Sequence, residues 1–401
     1  MRRYTVLALG LVAWLVCAAT PGLPRGGGRE ATDGPPPASY PAAGTSLLAA
    51  GAWHTCWLTE TGSVRCWGYN AHGQLGDGTT NSASLPVVVV GLPTPVAAVA
   101  AGEAHTCALT SRGGVKCWGY NVQGQLGDAT LADRETPTDV VGLTEGVTAI
   151  AAGDYHTCAV VRGGDVACWG YNAGGQLGDG TTTSRSTPVA VRGLRGRAVS
   201  VAAGAGHTCA LMATGAVMCW GANGEGELGD GTTSVRPGAV SVAGLTGATA
   251  ITAGSYHTCA VVDEGGLRCW GWNEYGQLGD GTTARHATPV AVTGLGSPVD
   301  AVTAGAYHTC VVTSGWLRCW GFNSRGQIGD GTMLSRLAPV SVPGAGAAVE
   351  GVAGGAYHTC ALTGATVHCW GWNTYGQLGD GTTESRLAPV DAGLPSDASS
   401  A

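Results

Sequence analysis

The chain has 401 residues, of which 69 are glycine, and only 12% of its residues are charged. This composition favours tightly turned β structure over helix. The formal net charge of −7 provides no basic surface for a phosphate backbone, which excludes nucleic acid as the main partner.

The first 19 residues have the order of segments found in an export signal. Two arginines are followed by an apolar run, residues 6–16, and then by small residues. The run is too short to span a bilayer comfortably. We therefore predict a signal peptide at 1–19, cleaved after Ala18 or Ala19, and no transmembrane segment in the mature chain. The alternative is a lipid anchor at Cys17.

Two segments lack the apolar residues that an ordered core needs. Residues 20–45 are dominated by Pro, Gly, Ala and Ser, and we predict a flexible linker there. We also expect a disordered tail at 395–401. The intervening segment, 46–394, is predicted to fold.

This intervening segment repeats itself seven times. Each copy contains Gly-x-x-His-Thr-Cys, then Cys-Trp-Gly, and then a Gly-Asp turn. The first cysteine of each copy recurs at intervals of 51, 51, 51, 50, 51 and 50 residues. A period this regular predicts a repeat architecture, in which each unit buries its apolar face against its neighbours.

The fifth copy predicts four short strands. We place them at Thr249 to Ala253, His257 to Val262, Leu267 to Gly271 and Pro289 to Thr293, with Gly and Asp-Gly in the gaps between them. Four-stranded units repeated seven times predict an all-β fold, a seven-bladed β-propeller with four strands per blade.

All cysteines except Cys17 fall into seven pairs, one in each repeat. The pairs are separated by ten residues in the first five repeats and by nine in the last two: Cys56 and Cys66, Cys107 and Cys117, Cys158 and Cys168, Cys209 and Cys219, Cys259 and Cys269, Cys310 and Cys319, and Cys360 and Cys369.

The two separations are both compatible with cysteines that lie opposite each other on a hairpin. The sixth repeat then has the two-residue loop Ser314-Gly315, and the first five have three-residue loops that all end in glycine, the residue that the left-handed position of such loops needs. Opposed cysteines have Cα atoms about 4.5–5.5 Å apart, within disulfide reach. We predict seven disulfides, as expected of an exported protein. The alternative is a metal site, because a histidine two residues before the first cysteine points to the same face.

The motifs Gly-x-x-His-Thr-Cys-Ala-Leu, Cys-Trp-Gly-Tyr-Asn and Gly-Gln-Leu-Gly-Asp-Gly-Thr resemble the repeat of the regulator of chromosome condensation (RCC1) family. The resemblance covers residues 46–394 and all seven copies. It implies a seven-bladed propeller and, from the family's founder, guanine nucleotide exchange activity. The superfamily also includes a secreted bacterial β-lactamase inhibitor. The regular cysteine pairs depart from the founder's pattern and fit exported members.

Three further side chains recur in every repeat, and each has a structural interpretation. The tryptophans that follow the second cysteines are expected to pack between blades: Trp67, Trp118, Trp169, Trp220, Trp270, Trp320 and Trp370. The histidines are expected to hydrogen-bond to a neighbouring blade: His54, His105, His156, His207, His257, His308 and His358. The aspartates are expected to form turns rather than calcium sites: Asp77, Asp128, Asp179, Asp230, Asp280, Asp330 and Asp380.

Candidate partner-binding residues occupy positions where the copies differ. The residue before the repeat histidine and the residue after Trp-Gly are aromatic in most repeats, and both lose the ring in the fourth, at Gly206 and Ala222. We expect these two positions to contact each other or to share a surface. Exposed Trp and Tyr are favoured interface anchors. The predicted binding residues are Trp53, Tyr69, Tyr256, Trp272, Tyr275, Tyr307, Phe322, Tyr357, Trp372 and Tyr375.

No enzyme motif stands out from the sevenfold pattern. The chain has no Gly-x-Ser-x-Gly elbow and no phosphate-binding loop, and no cofactor is expected. We predict a monomeric, secreted or cell-envelope scaffold that recognises a protein or carbohydrate through its loops. The alternatives are nucleotide exchange on a small GTPase and inhibition of a secreted enzyme.

Overall fold

The structure is a computed structural model, and it describes residues 47–296 and 298–393. The predicted signal peptide, the linker, Cys17 and the tail lie outside the described residues. The described chain forms 28 strands in seven four-stranded antiparallel sheets, each built from consecutive strands. The predicted all-β, seven-bladed propeller is therefore confirmed. Within the described residues, no helix is long and apolar enough to cross a membrane.

Each blade takes its four strands from one repeat. Blades 1 to 3 contain β1 Leu48–Ala50, β2 His54–Leu58, β3 Val64–Gly68, β4 Ala83–Val88, β5 Val96–Ala101, β6 His105–Thr110, β7 Val115–Gly119, β8 Arg134–Asp139, β9 Val147–Ala152, β10 His156–Val161, β11 Val166–Gly170 and β12 Arg185–Ala190. Blade 4 contains β13 Ala198–Ala203, β14 His207–Met212, β15 Val217–Gly221 and β16 Arg236–Ser241.

Blades 5 to 7 follow the same order, with a short 3-10 turn at Asp263–Gly265. They contain β17 Ala248–Ala253, β18 His257–Val262, β19 Gly266–Gly271, β20 His286–Ala291, β21 Ala301–Ala304, β22 His308–Thr313, β23 Trp316–Gly321, β24 Arg336–Ser341, β25 Gly351–Gly354, β26 His358–Thr363, β27 Thr366–Gly371 and β28 Arg386–Asp391.

The ring closes without exchange of strands between its ends. The first strands of successive blades lie side by side, and β25 of blade 7 contacts β1 of blade 1. β1 pairs with β2 of its own repeat, and β28 pairs with β27. Closure therefore depends on side-chain and loop contacts between blades 7 and 1, as at every other blade junction.

The predicted strands of the fifth repeat agree with the structure except for the last. We placed that strand at Pro289 to Thr293, whereas β20 runs from His286 to Ala291. The prediction was wrong because it took the proline as the start of the strand. β20 is the outer edge strand of its sheet, where a proline inside the strand is tolerated since no further strand needs its missing N–H.

The cysteine pairs lie opposite each other on the second and third strands of every blade. Cys209 pairs with Cys219 in the register of blade 4, and the other six pairs do the same. All seven predicted disulfides are present, with Cα atoms 4.0–4.1 Å apart, slightly closer than expected. The sixth hairpin turns through Ser314 and Gly315, both with positive φ.

The core is divided among the seven junctions between blades. In the junction of blades 1 and 2, the Cys56–Cys66 disulfide, Leu58 and Leu75 pack with Trp118 of the next blade. The corresponding groups form the other six clusters. Every disulfide is therefore buried beneath the tryptophan of its neighbour, which explains why cysteine and tryptophan recur together.

Candidate binding surface

A closed ring of hydrogen bonds joins the seven histidines to the next blade. His54 Nε2 lies 2.9 Å from Thr106 Oγ1, and His358 Nε2 of blade 7 lies 2.8 Å from Thr55 Oγ1 of blade 1. The five other junctions have the same contact at 2.8–2.9 Å. The predicted structural role of the histidines is confirmed.

The hydrogen-bonded ring determines which nitrogen of each histidine carries the proton, and its burial keeps the histidines uncharged. The Thr106 hydroxyl donates its proton to the carbonyl oxygen of Gln74, 2.8 Å away, so that its oxygen accepts from His54 Nε2–H. The Nδ1 atom of His54 is buried without a partner. Burial lowers the pKa of the seven histidines to about 3 or 4. They are neutral at pH 7 and unsuited to proton transfer there.

The tryptophans tie each blade to the one before it. Trp118 Nε1–H donates to the same Gln74 carbonyl oxygen at 2.9 Å, and Trp67 of blade 1 donates to Gln377 of blade 7 at 2.9 Å. All seven rings are fully buried. The predicted packing role is confirmed, and no ring is free to stack on a ligand.

Glycine at the central axis allows this close approach of blades. A Cβ atom on Gly204 would lie 2.4 Å from the carbonyl oxygen of Gly254 in the next blade and 2.4 Å from His207 Cε1. Gly51 and Gly102 face their neighbours in the same way. The glycine three residues before each repeat histidine is therefore required by the packing.

The recurring aspartates stabilise the long loop between the third and fourth strands. Asp128 accepts hydrogen bonds from Thr130 and Arg134, and in blade 5 His286 takes the place of the arginine beside Asp280. Burial raises the pKa of Asp128 and the bonds from Thr130 and Arg134 lower it, with a net lowering. These bonds account for the carboxylates without a metal ion, and the described residues contain no group of three or more metal-ligating side chains.

Sequence reasoning missed the residue that organises this loop. Asn121 Nδ2 donates to Asp128 and to the carbonyl oxygens of Thr130 and Ala132, and its Oδ1 accepts from Leu126 N–H. The asparagines at the same position of the other repeats make the same contacts. Their invariance across seven copies was the available signal.

The predicted partner-binding residues lie together at one end of the propeller, which we call the aromatic face. The two variable positions are in contact within a blade: the ring centroids of Trp53 and Tyr69 are 5.7 Å apart, and those of Tyr357 and Trp372 are 5.8 Å apart. Most of these rings are half-buried, and Tyr256 is 40% exposed. The expected contact between the two positions is confirmed.

The rings continue from blade to blade as an open arc. Its members, here called the aromatic arc, are Tyr171, Tyr155, Tyr120, His72, Tyr69, Trp53, Tyr375, Trp372, Tyr357, Phe322, Tyr307, Tyr275, Trp272 and Tyr256. The predicted set stopped at blade 1, whereas the arc extends through blades 2 and 3 and includes Tyr120, Tyr155 and Tyr171. The same two columns of the repeat contained these tyrosines. Gly206 and Ala222 leave the arc open at blade 4.

Two cavities open on the aromatic face. The axial cavity, of about 340 Å³, is lined mainly by glycine and alanine, with Glu103 and Asp154 on its wall. Burial, together with the charge of Glu103, raises the pKa of Asp154 to about 7. The second cavity, here called the gap pocket, has about 490 Å³ and lies beside blade 4. Its walls are Glu225, Tyr256, Trp272, Glu274, Tyr275, Tyr307, Phe322 and Tyr357.

Family models match most of the chain. The model described as "RCC1-like domain" matches residues 28–300, which is more than half of the chain. The model of the regulator of chromosome condensation (RCC1) repeat matches residues 315–362 and 365–399.

Similar proteins share either part of the sequence or the fold. The probable E3 ubiquitin-protein ligase HERC4 of Homo sapiens is 36% identical over 204 residues, which is 49% of this chain and 19% of HERC4. The chain thus spans about a fifth of such relatives. Yeast RCC1 (Prp20), in a crystal structure with Kap60, has a TM-score of 0.74 at 21% identity and covers 87% of this chain and 88% of its own. Human WBSCR16 has a TM-score of 0.71 at 25% identity, with 79% and 86% covered.

Proposed function

Since the chain belongs to the RCC1-like domain family, we propose that it is a non-catalytic binding protein that recognises a protein or carbohydrate partner through the aromatic arc. The partner is met outside the reducing interior of the cell. The observation that carries this proposal is that the arc is dispensable for the blade itself.

Blade 4 supplies the evidence for this dispensability. It has Gly206 and Ala222 in place of two rings, yet Cys209 is bonded to Cys219, and Trp220 donates to the preceding blade at 2.9 Å. His207 also bonds to Thr258 of blade 5 at 2.9 Å. A blade thus forms its full set of framework contacts without the arc. Half-exposed aromatic rings that folding does not need are the usual anchors of an interface.

The buried disulfides support a site of action outside the reducing interior. Disulfides persist in oxidising compartments and are rare in reducing ones. Seven disulfides in one domain, each with fully buried sulfurs, favour an exported protein.

The experiment compares the two ends of the propeller. Purified protein is used as bait in native culture fluid and envelope extract, alongside the double variant Trp272→Ala/Trp372→Ala. The control is Trp316→Ala, because Trp316 is 61% exposed at the turn of the β22–β23 hairpin, the end opposite to the aromatic face.

The proposal predicts that a partner captured by the wild type and by Trp316→Ala is lost, by about tenfold or more, from the double variant. Equal capture by all three folded proteins would refute it. Nucleotide exchange, the alternative that the family resemblance implies, is tested in a separate arm. The binding proposal predicts that the protein does not accelerate release of labelled GDP from a small GTPase.

A further inference from the structure

We infer that the gap pocket binds a guanidinium group, the side chain of an arginine on the protein partner. This inference rests on the proposed function, because it names the chemistry that one part of the aromatic face recognises. It also favours a protein over a carbohydrate as the partner.

A contact that recurs in four of the seven blades shows which groups fill the equivalent place elsewhere in the ring. In these blades the residue just before the loop glycine covers an aromatic ring of the next blade. His72 lies 4.6 Å from Tyr120, Tyr275 lies 4.5 Å from Phe322, and Tyr375 lies 4.8 Å from Tyr69, all between ring centroids. In blade 6 the covering group is a cation: the guanidinium of Arg325 lies 5.9 Å from the ring centre of Trp372.

Blade 4 puts a carboxylate at this position. Glu225 is the residue before the loop glycine, and it lines the gap pocket together with Trp272 of blade 5. The remaining walls of this cavity of about 490 Å³ are Glu274 and aromatic rings of blades 5 to 7. The rings give the pocket its apolar walls, and the two carboxylates set its charge.

Trp272 and Trp372 form a matched pair within the molecule. Trp272 lies 5.9 Å from Tyr256 and 5.3 Å from Tyr275. Trp372 lies 5.8 Å from Tyr357 and 5.6 Å from Tyr375. The two indoles share these two kinds of aromatic neighbour, although Trp272 also lies 5.5 Å from Tyr307. Trp372 is covered by the guanidinium of Arg325, whereas Trp272 shares the wall of the gap pocket with the Glu225 carboxylate.

The charges at the rim favour a cation from outside. Glu274 is exposed and belongs to no ion pair among residues 47–296 and 298–393. Glu225 is paired with Arg285 at 2.9 Å, but both side chains are substantially exposed, at 35% and 62%, so the pair is weak and open to competition. The electron-rich faces of Trp and Tyr attract the same sign of charge.

A guanidinium satisfies both sets of groups at once. Its plane stacks on an aromatic face while its N–H groups form paired hydrogen bonds with a carboxylate. An ammonium group lacks the planar face, and a neutral sugar leaves the attraction of two carboxylates for a cation unused. The contact between Arg325 and Trp372 shows that this fold accepts the stacked arrangement.

The first test uses the protein with an N-acetyl-Gly-Arg-Gly amide, observed by ligand NMR titration. The matched control peptide contains citrulline, which has the same shape and no charge. We expect the arginine peptide to bind at least about tenfold more tightly than the citrulline peptide, and to weaken as salt is added. Equal binding of the two peptides would overturn the inference. So would preference for a lysine peptide, for tetramethylammonium or for a soluble oligosaccharide.

The second test changes the pocket while keeping the fold. Glu225→Arg should place an internal guanidinium on Trp272, as Arg325 does on Trp372, and abolish binding of the arginine peptide. Arg285→Ala frees the Glu225 carboxylate and should strengthen binding by about two- to fivefold. Trp316→Ala is the control, because Trp316 lies at the end of the propeller opposite to the aromatic face, and it should leave the affinity for this peptide unchanged. Unaltered binding by Glu225→Arg would contradict the site.

These results separate the two proposals. If the arginine peptide is not preferred but Trp272→Ala/Trp372→Ala still loses the captured partner, the aromatic arc binds and the guanidinium site is wrong. If the peptide binds as expected but the double variant captures the partner as well as the wild type does, the pocket exists and the arc is not the docking surface.

Discussion

The inner framework and the aromatic face of this propeller follow opposite rules. The disulfides, the histidine–threonine bonds and the tryptophan–carbonyl bonds repeat in every blade, including blade 4. On the aromatic face, the residues before the repeat histidines range from Trp53 to Gly206, and the residues before the loop glycine include both Arg325 and Glu225. Uniform positions hold the ring together, whereas recognition should be sought where the repeat is broken.

Reduction of the seven disulfides should have the largest effect on the framework. The chain-entropy model gives about 2–3 kcal/mol for each bond of this loop length. The sum is comparable with the entire ~5–15 kcal/mol that stabilises a typical domain. We expect the reduced chain to show no cooperative unfolding transition by circular dichroism. Protein with intact disulfides, denatured and refolded in the same way, is the control and should regain its cooperative transition. A reduced chain with the native melting temperature would show that the bonds are incidental.

Acid should be the next most effective way to break the framework. The native histidines have pKa values of about 3 or 4, below the ordinary 6.5, so the unfolded chain binds protons between these values that the native ring does not. Stability should therefore fall as the pH drops below about 6.5. Each histidine contributes about 1.4 kcal/mol per pH unit. Asp154, with its pKa raised to about 7, and Glu227, whose pKa is raised by burial, work in the opposite direction, but as two groups against seven.

Urea unfolding at several pH values checks this expectation. The free energy of unfolding should decline steeply from pH 7 to pH 5. Equal stability at the two pH values would mean that the ring of histidines is not buried and neutral as described.

Adding a single Cβ atom at either of two glycines of blade 4 tests the inner framework and the aromatic face separately. A Cβ on Gly204 would meet a carbonyl oxygen of blade 5 at 2.4 Å, whereas a Cβ on Gly206 would meet only the Cβ of Ala222 at 3.2 Å. Gly204→Ala should cost about 3 kcal/mol or more, because backbone must move, and Gly206→Ala less than about 1 kcal/mol. Chemical denaturation of both variants measures the difference. Similar losses of unfolding free energy in the two variants would contradict the distinction between the inner framework and the aromatic face.

A threonine of the hydrogen-bonded ring should have a smaller effect. Thr208→Val keeps the shape but removes the bonds to His156 and to the Gln176 carbonyl. The buried His156 Nε2–H then has no partner, while the Gln176 carbonyl keeps its bond from Trp220. The expected cost is about 1–3 kcal/mol. Thr249→Val is the control, because Thr249 is exposed and makes only a 3.4 Å bond to Val261. The control should change stability by less than about 0.5 kcal/mol.

The sequence was informative wherever a residue recurred. The spacing of Cys310 and Cys319 predicted the hairpin register correctly, because opposed cysteines are compatible with both loop lengths. The two aromatic columns were visible because Gly206 and Ala222 interrupt them together. The gap pocket was not visible, because its walls combine Glu225 of one repeat with Trp272 and other residues of the following repeats. Contacts between repeats depend on how successive blades are arranged around the ring, and this arrangement cannot be inferred from the sequence of one repeat. The outer strand β20 was misplaced because an edge strand has a weak sequence pattern.

The most direct test of the account is to repair blade 4 and measure binding. The triple variant Gly206→Tyr, Ala222→Trp and Glu225→Arg gives blade 4 the aromatic and cationic residues found in other blades. We predict that it keeps its seven disulfides and its cooperative unfolding, and that its affinity for N-acetyl-Gly-Arg-Gly amide falls at least about tenfold. A folded triple variant that binds the peptide as tightly as the wild type would contradict the claim that recognition resides where the repeat is broken.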